Sequence, residues 1–125
     1  MRDVDSAGIV YLAAPYAWHE EMWTGALFTS GHPVSQQMAE GVGGPVVSSA
    51  ATYIAPIRTD YVLTCRLYTD HIGERSFGLR LDAFLPDDSV ALTVVTRHVW
   101  CNYHAGEPEP APLPEWLRDL LSNGP

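Results

Sequence analysis

The run DVDSAGIVYL, residues 3–12, decides how the rest of the chain is read. It sets two carboxylates, Asp3 and Asp5, two residues apart, then a small-residue turn, Ser6-Ala7-Gly8, then an apolar stretch. In an extended segment Asp3 and Asp5 point to the same side, but only Asp5 abuts the turn that leads into the next element. An aspartate in that place serves either as a turn former or helix cap, or as an acid with chemistry to do.

Working outward, residues 12–30 carry a helical pattern. Leu12, Tyr16, His19, Trp23 and Leu27 recur every three or four positions, and Trp18, Met22 and Ala26 form a neighbouring stripe. The belt is wide, which predicts a mostly buried helix. Pro15 suits the first turn, where a missing N–H costs nothing, and Gly31 suits the C-terminal cap. The segment GHPVSQQMAEGVGG, residues 31–44, reads as a polar, glycine-rich loop. Four runs rich in β-branched and aromatic residues follow, at 45–57, 61–70, 76–85 and 89–103. Short turn signals separate them, so the expectation is an antiparallel meander. HAGEPEPAPLP reads as a Pro-rich tether without core residues, and PEWLRDLLSNG as a short amphipathic helix closing the chain. This gives an α+β layout, with residues 1–104 as the domain and 105–125 as tether and helix packing on it.

With 125 residues, the chain has length for one domain. No apolar run reaches the ~20 residues of a membrane helix, and the first residues carry no signal segment, so the expected location is the cytoplasm. The formal net charge is −8 and all seven basic residues are arginines. An acidic chain without a basic cluster excludes nucleic acid as the expected partner. Cys65 and Cys101 lack the spacing of a zinc site, and HEEMW, residues 19–23, lacks the second histidine of a zinc-binding helix. No metal or cofactor is expected.

The residues 3–11, D-V-D-S-A-G-I-V-Y, resemble the signature of hot-dog fold acyl-CoA thioesterases of the 4-hydroxybenzoyl-CoA thioesterase type, D-x-D-x-x-G-x-V-[YFW], leading into a long central helix. GGPVVSSAATYIAPIRTDYVLTC, residues 43–65, is similar to the family's second strand, proline corner and third strand, and IGERSF, residues 72–77, to its [IW]-x-x-x-S-F segment. The resemblance covers roughly residues 3–103. His19-Glu20 with Leu27 and Gly31 is also similar to the branch that hydrolyses 1,4-dihydroxy-2-naphthoyl-CoA. The resemblance implies a hot-dog fold, a long central helix wrapped by an antiparallel sheet. Family members carry about ten residues of first strand before the D-x-D, whereas two precede it here, so the first strand is shortened or missing.

What the resemblance implies for chemistry is specific. Asp5 is the nucleophile or the general base. The carbonyl oxygen sits over the amide of Leu12, within the unpaired first-turn amides that make an oxyanion site. Gly8 gives close backbone approach at the turn. Tyr11, Tyr16, Trp18, His19 and Trp23 are the candidates for the acyl pocket, with plain core packing the other reading of the aromatic stripe. Arg75 and Ser76 are expected at the pantetheine and nucleotide of coenzyme A, with Arg97 a second arginine candidate. The implied activity is hydrolysis of an aromatic or bulky acyl-CoA by a homo-oligomer, a dimer or a homotetramer built from dimers, with coenzyme A entering only as part of the substrate. Two alternatives share the fold: a thioesterase acting on an acyl carrier protein, and a non-catalytic acyl-CoA binding protein.

Overall fold

The computed structural model describes residues 14–58, 62–104 and 106–125. Asp3, Asp5, Gly8, Tyr11 and Leu12 lie outside them, as does the stretch where the first strand is expected to be shortened or missing.

Helix α1, Ala14–Thr29, buries Pro15, His19, Trp23 and Leu27, one residue per turn along a single stripe. Two expectations are corrected here. Tyr16 is exposed, its place on the stripe taken by Pro15 one position earlier, and the helix is not mostly buried: Glu20, Glu21, Gly25 and Phe28 face outward. The helix stops at Gly31, whose φ of +88° is open to glycine without strain, while the His32 amide reaches back to the Leu27 carbonyl at 3.0 Å.

The stretch 31–44 is not a plain loop. Helix α2, Val34–Glu40, begins after Pro33 and is closed by Gly41 at φ +71°; strand β1, Val42–Gly43, follows. Seven residues are too few for a periodic pattern to show, but the proline start and glycine stop are both in the sequence.

The main sheet contains β2 (Val46–Tyr53), β3 (Thr64–Ile72), β4 (Ser76–Phe84) and β5 (Val90–Val99) in the order β2-β5-β4-β3, every pairing antiparallel. Strands β3, β4 and β5 form the expected meander. β2 does not pair with β3 but lies along the far side of β5, so a crossover replaces the first hairpin. The connection between them is no tight turn: it carries Ile57, which is 1% exposed and anchored in the core.

Side-chain alternation divides the sheet. Phe77, Leu79, Leu81 and Ala83 of β4, with Leu92 and Val94 of β5, face α1 and are buried. Each large apolar side chain so buried contributes roughly 1.5–3 kcal/mol. The opposite face is polar. Asp82, 3% exposed, accepts from the Tyr68 hydroxyl, from Arg80 Nε at 2.9 Å and from Thr93 Oγ1 at 2.8 Å. On the same face Arg97 of β5 crosses above Gly78 of β4 to reach Asp70 of β3 at 2.9 Å, an ion pair rather than an aligned hydrogen bond.

The last expected strand breaks at Trp100 into β5 and β6 (Cys101–His104). The segment read as a tether supplies β7, Glu107–Pro110, which pairs with β6, and β6 pairs with β1 in a second, three-stranded sheet. Its prolines are tolerated because β7 is an edge strand. Leu113, beyond it, is buried in the core, against the expectation that this stretch holds no core residue. Helix α3, Glu115–Asn123, buries Leu117 and Leu121 one turn apart. Thr69 Oγ1 donates to the Leu121 carbonyl at 2.7 Å, and Arg118 Nη2 donates to the carbonyls of Gly73 and Glu74 at 3.0 and 3.1 Å. No helix among the described residues is long and apolar enough to cross a membrane.

Candidate active site

A cleft of about 490 Å³ opens between α1, α2 and the glycine loop 41–45. α1 supplies Glu20, Trp23, Thr24 and Leu27 because these recur at one-turn spacing along the edge of its buried stripe. Phe77 comes from β4, His98 from β5, Trp100 and Tyr103 from the chain just beyond, and Leu117 from α3. One wall is aromatic, made by Trp23, Phe77, His98, Trp100 and Tyr103. Phe77 and His98 stack with centroids 4.6 Å apart and planes within 8°, and Trp23 tilts against both. Trp100 meets Trp116 edge-on, and Trp116 stacks on His32 at 3.9 Å, tying α3 to the end of α1.

Besides the pairing of β1 with β6, three hydrogen bonds hold the glycine loop against β5 and β6. The Tyr103 amide donates to Gly41 O at 2.8 Å, the Val99 amide to Pro45 O at 3.3 Å, and His98 Nδ1 to Gly44 O at 2.9 Å. Gly44 packs so closely that a Cβ there would lie 3.1 Å from the Phe77 ring and 3.4 Å from Trp100.

Behind the aromatic wall runs a buried polar chain. Thr96 Oγ1 lies 3.0 Å from His19 Nε2 and 2.9 Å from His98 Nε2. Because Gly44 O can only accept, His98 carries its proton on Nδ1, and its Nε2 accepts from the Thr96 hydroxyl. Thr96 then accepts from His19 Nε2–H. Burial first, and the neighbouring His98 second, lower the His19 pKa to about 4. Burial also lowers that of His98, against the opposing pull of the Gly44 carbonyl and the Glu20 carboxylate. Both rings are therefore neutral at pH 7. Both nitrogens of His98 are engaged within the protein, so it offers the cleft a ring face and no free base. Glu20 is the one carboxylate among the described residues that line the cleft.

Of the residues expected at the acyl group, the structure brings Trp23 to the cleft and places His19 directly behind it. Trp18 is half-buried against the core, and Tyr16 lies exposed near Tyr53, whose pKa is raised by burial and then by Tyr16; neither lines the cleft. Arg75 is exposed in the turn before β4, its carbonyl accepting from the Trp100 amide at 2.8 Å, and Ser76 opens β4; neither lines the cleft. Arg97 is ion-paired on the opposite face of the sheet. Asp5, Gly8, Tyr11 and Leu12 are outside the described residues. Sequence reasoning missed Phe77, His98, Trp100, Tyr103 and Leu117, which come from four distant elements. The signal that was present is the Gly41–Gly44 pattern, the mark of a close backbone approach.

An antiparallel sheet wrapped on one long helix, with an aromatic cleft beside that helix, agrees with the comparisons to known proteins. The sequence profile of the thioesterase-like superfamily matches residues 1–121. A 1,4-dihydroxy-2-naphthoyl-CoA hydrolase of Picosynechococcus sp. is 30% identical over 127 residues, covering 95% of this chain and 87% of that one. Among solved structures, a 1,4-dihydroxy-2-naphthoyl-CoA thioesterase from Synechocystis superposes with a TM-score of 0.85 at 18% identity, over 98% of this chain and 90% of that one. A gentisyl-coenzyme A thioesterase superposes with a TM-score of 0.77 at 24% identity, over 94% and 93%. The chain belongs to the thioesterase-like superfamily. Its fold is the hot-dog fold, and its class of reaction is thioester hydrolysis.

Proposed function

We propose that the protein hydrolyses acyl-CoA thioesters whose acyl part is aromatic or comparably bulky, of the hydroxybenzoyl or 1,4-dihydroxy-2-naphthoyl kind, to the free acid and coenzyme A. The observation that carries this is the cleft. Its volume lies within the range of small-molecule sites, ~300–1,000 Å³, and its lining includes Trp23, Phe77, His98 and Trp100, which suit an aromatic or bulky apolar group. The names of the similar hydrolase and of the gentisyl thioesterase point the same way.

Asp5 acts as nucleophile or general base on the thioester carbonyl, and the first-turn amides at Leu12, Ala13 and Ala14 receive the developing oxyanion. Arg75 and Ser76 serve the coenzyme A tail. The exposed position of Arg75 suits a phosphate outside the acyl cleft. The enzyme works in the cytoplasm as a homo-oligomer. Support for association comes from β2: it is an edge strand among the described residues, carries no charged residue, and continues into exposed Ile54, with Val46, Val47 and Tyr53 also exposed.

The test is thiol release from a panel of acyl-CoA esters. Wild type should liberate coenzyme A from the aromatic members, and Asp5→Ala should lose at least ~100-fold. Equal rates for the two proteins would remove Asp5 from the chemistry. No release from any ester would end the proposal.

A further inference from the structure

We infer that Thr96 is a positioning residue for the acyl cleft: its hydroxyl, set between His19 and His98, holds the His98 ring in the orientation that anchors Gly44, and so steadies the glycine loop that walls the site. The inference rests on the function proposed above.

Thr96, His19 and His98 are 4%, 3% and 2% exposed, so no water competes freely for their polar atoms. Among the described residues, the Thr96 hydroxyl bridges the two rings. The Gly44 carbonyl sets the proton on Nδ1, and the Thr96 hydroxyl, donating to Nε2, pins the other side of the ring. Accepting from His19 Nε2 keys α1 to the same strand. Helix, strand and glycine loop are thereby joined through one oxygen. Without it, His98 Nε2 is a buried acceptor with no donor, and the ring gains by rotating towards another donor, which releases the Gly44 carbonyl. The same ring forms the stacked wall with Phe77, so wall and loop lose their fixed positions together. None of the three side chains needs to touch the thioester for this to matter.

The experiment compares Thr96→Val, Thr96→Ser and wild type on benzoyl-CoA and 2-naphthoyl-CoA, with urea melts alongside. Thr96→Val keeps the side chain's shape and removes the oxygen; Thr96→Ser keeps the oxygen. Thr96→Val should raise KM by about tenfold or more, because binding must then re-order the ring and the loop, with kcat within about threefold. Thr96→Ser should restore KM to within about threefold of wild type. A purely structural role predicts lower stability with KM unchanged, and that result overturns the inference, as does a Thr96→Ser enzyme as impaired as Thr96→Val. If Thr96→Val does not fold, His98→Phe, which keeps the stack on Phe77 and loses the donor to Gly44, decides on the same KM criterion. Wild type that releases no coenzyme A overturns the proposed function and this inference with it. Active wild type whose variants keep its KM overturns this inference alone.

Discussion

Gly44→Ala tests the cleft wall with one carbon atom. A Cβ at Gly44 would sit 3.1 and 3.2 Å from two Phe77 ring carbons and 3.4 Å from Trp100. Phe77 cannot give way: it is 1% exposed, stacked on His98 and wedged by Trp23. The loop must move instead, by a few tenths of an ångström, drawing Gly44 O from His98 Nδ1. Overpacking of this kind costs about 1–3 kcal/mol. Gly44 is not at positive φ, so alanine fits its backbone and recovers ~0.4–1 kcal/mol from the unfolded state. At mid-range the net loss is about 1.3 kcal/mol, which at a urea slope of ~2 kcal/mol/M lowers the midpoint by roughly 0.6 M. KM for an aromatic acyl-CoA should rise in parallel. Gly25→Ala is the matched control. Gly25 lies on the exposed face of α1 with nothing within 4 Å of an added Cβ, so alanine there should stabilise by ~1 kcal/mol through helix propensity. If Gly44→Ala melts at or above wild type with KM unchanged, the packing argument for the cleft wall is wrong.

Asp82→Ala removes the acceptor shared by Tyr68, Arg80 and Thr93 on the far face of the sheet. It should cost about 3 kcal/mol by leaving those donors unpaired around a buried site, and a urea melt reads it directly; a cost below that of an ordinary surface change contradicts the network. Stability should also fall in mild acid. His19 and His98 are held below the ordinary histidine value of 6.5, so the unfolded chain binds protons the folded one refuses. The stability they lend is complete above pH 6.5 and is lost as pH falls towards the His19 value of about 4, by about 3 kcal/mol for His19 alone. His19→Gln, whose amide also donates to Thr96, should flatten that slope; melts between pH 7 and 4 that run parallel for the two proteins refute the assignment.

Much of the fold was legible because its signals are local. The α1 stripe and its Gly31 cap, the β-branched runs and the closing helix each follow from periods of 3.6 or 2 within one segment. What escaped depends on neighbours far along the chain. β2 prefers the side of β5 through a register that no hairpin-length rule encodes. EPEP pairs as β7 although its prolines argue against a strand, because one edge contact with β6 suffices. The site divides the same way. Trp23 and His19 were readable from the helix face, whereas His98 and Thr96 acquire meaning only when β5 lies under α1. Tyr16 was misplaced by a single position, since a belt of aromatic residues leaves the buried stripe ambiguous by about one residue in phase.

The crossing of Arg97 over Gly78 carries a consequence for substitution. A side chain at position 78 would occupy the space of the Arg97 guanidinium, and without that bridge Asp70 faces the solvent alone. Positions 70, 78 and 97, on three adjacent strands, are therefore coupled in packing: a side chain at 78 turns aside the flexible end of Arg97 and loosens an ion pair worth about 1 kcal/mol or less, so a change at any one of them is felt first by the other two.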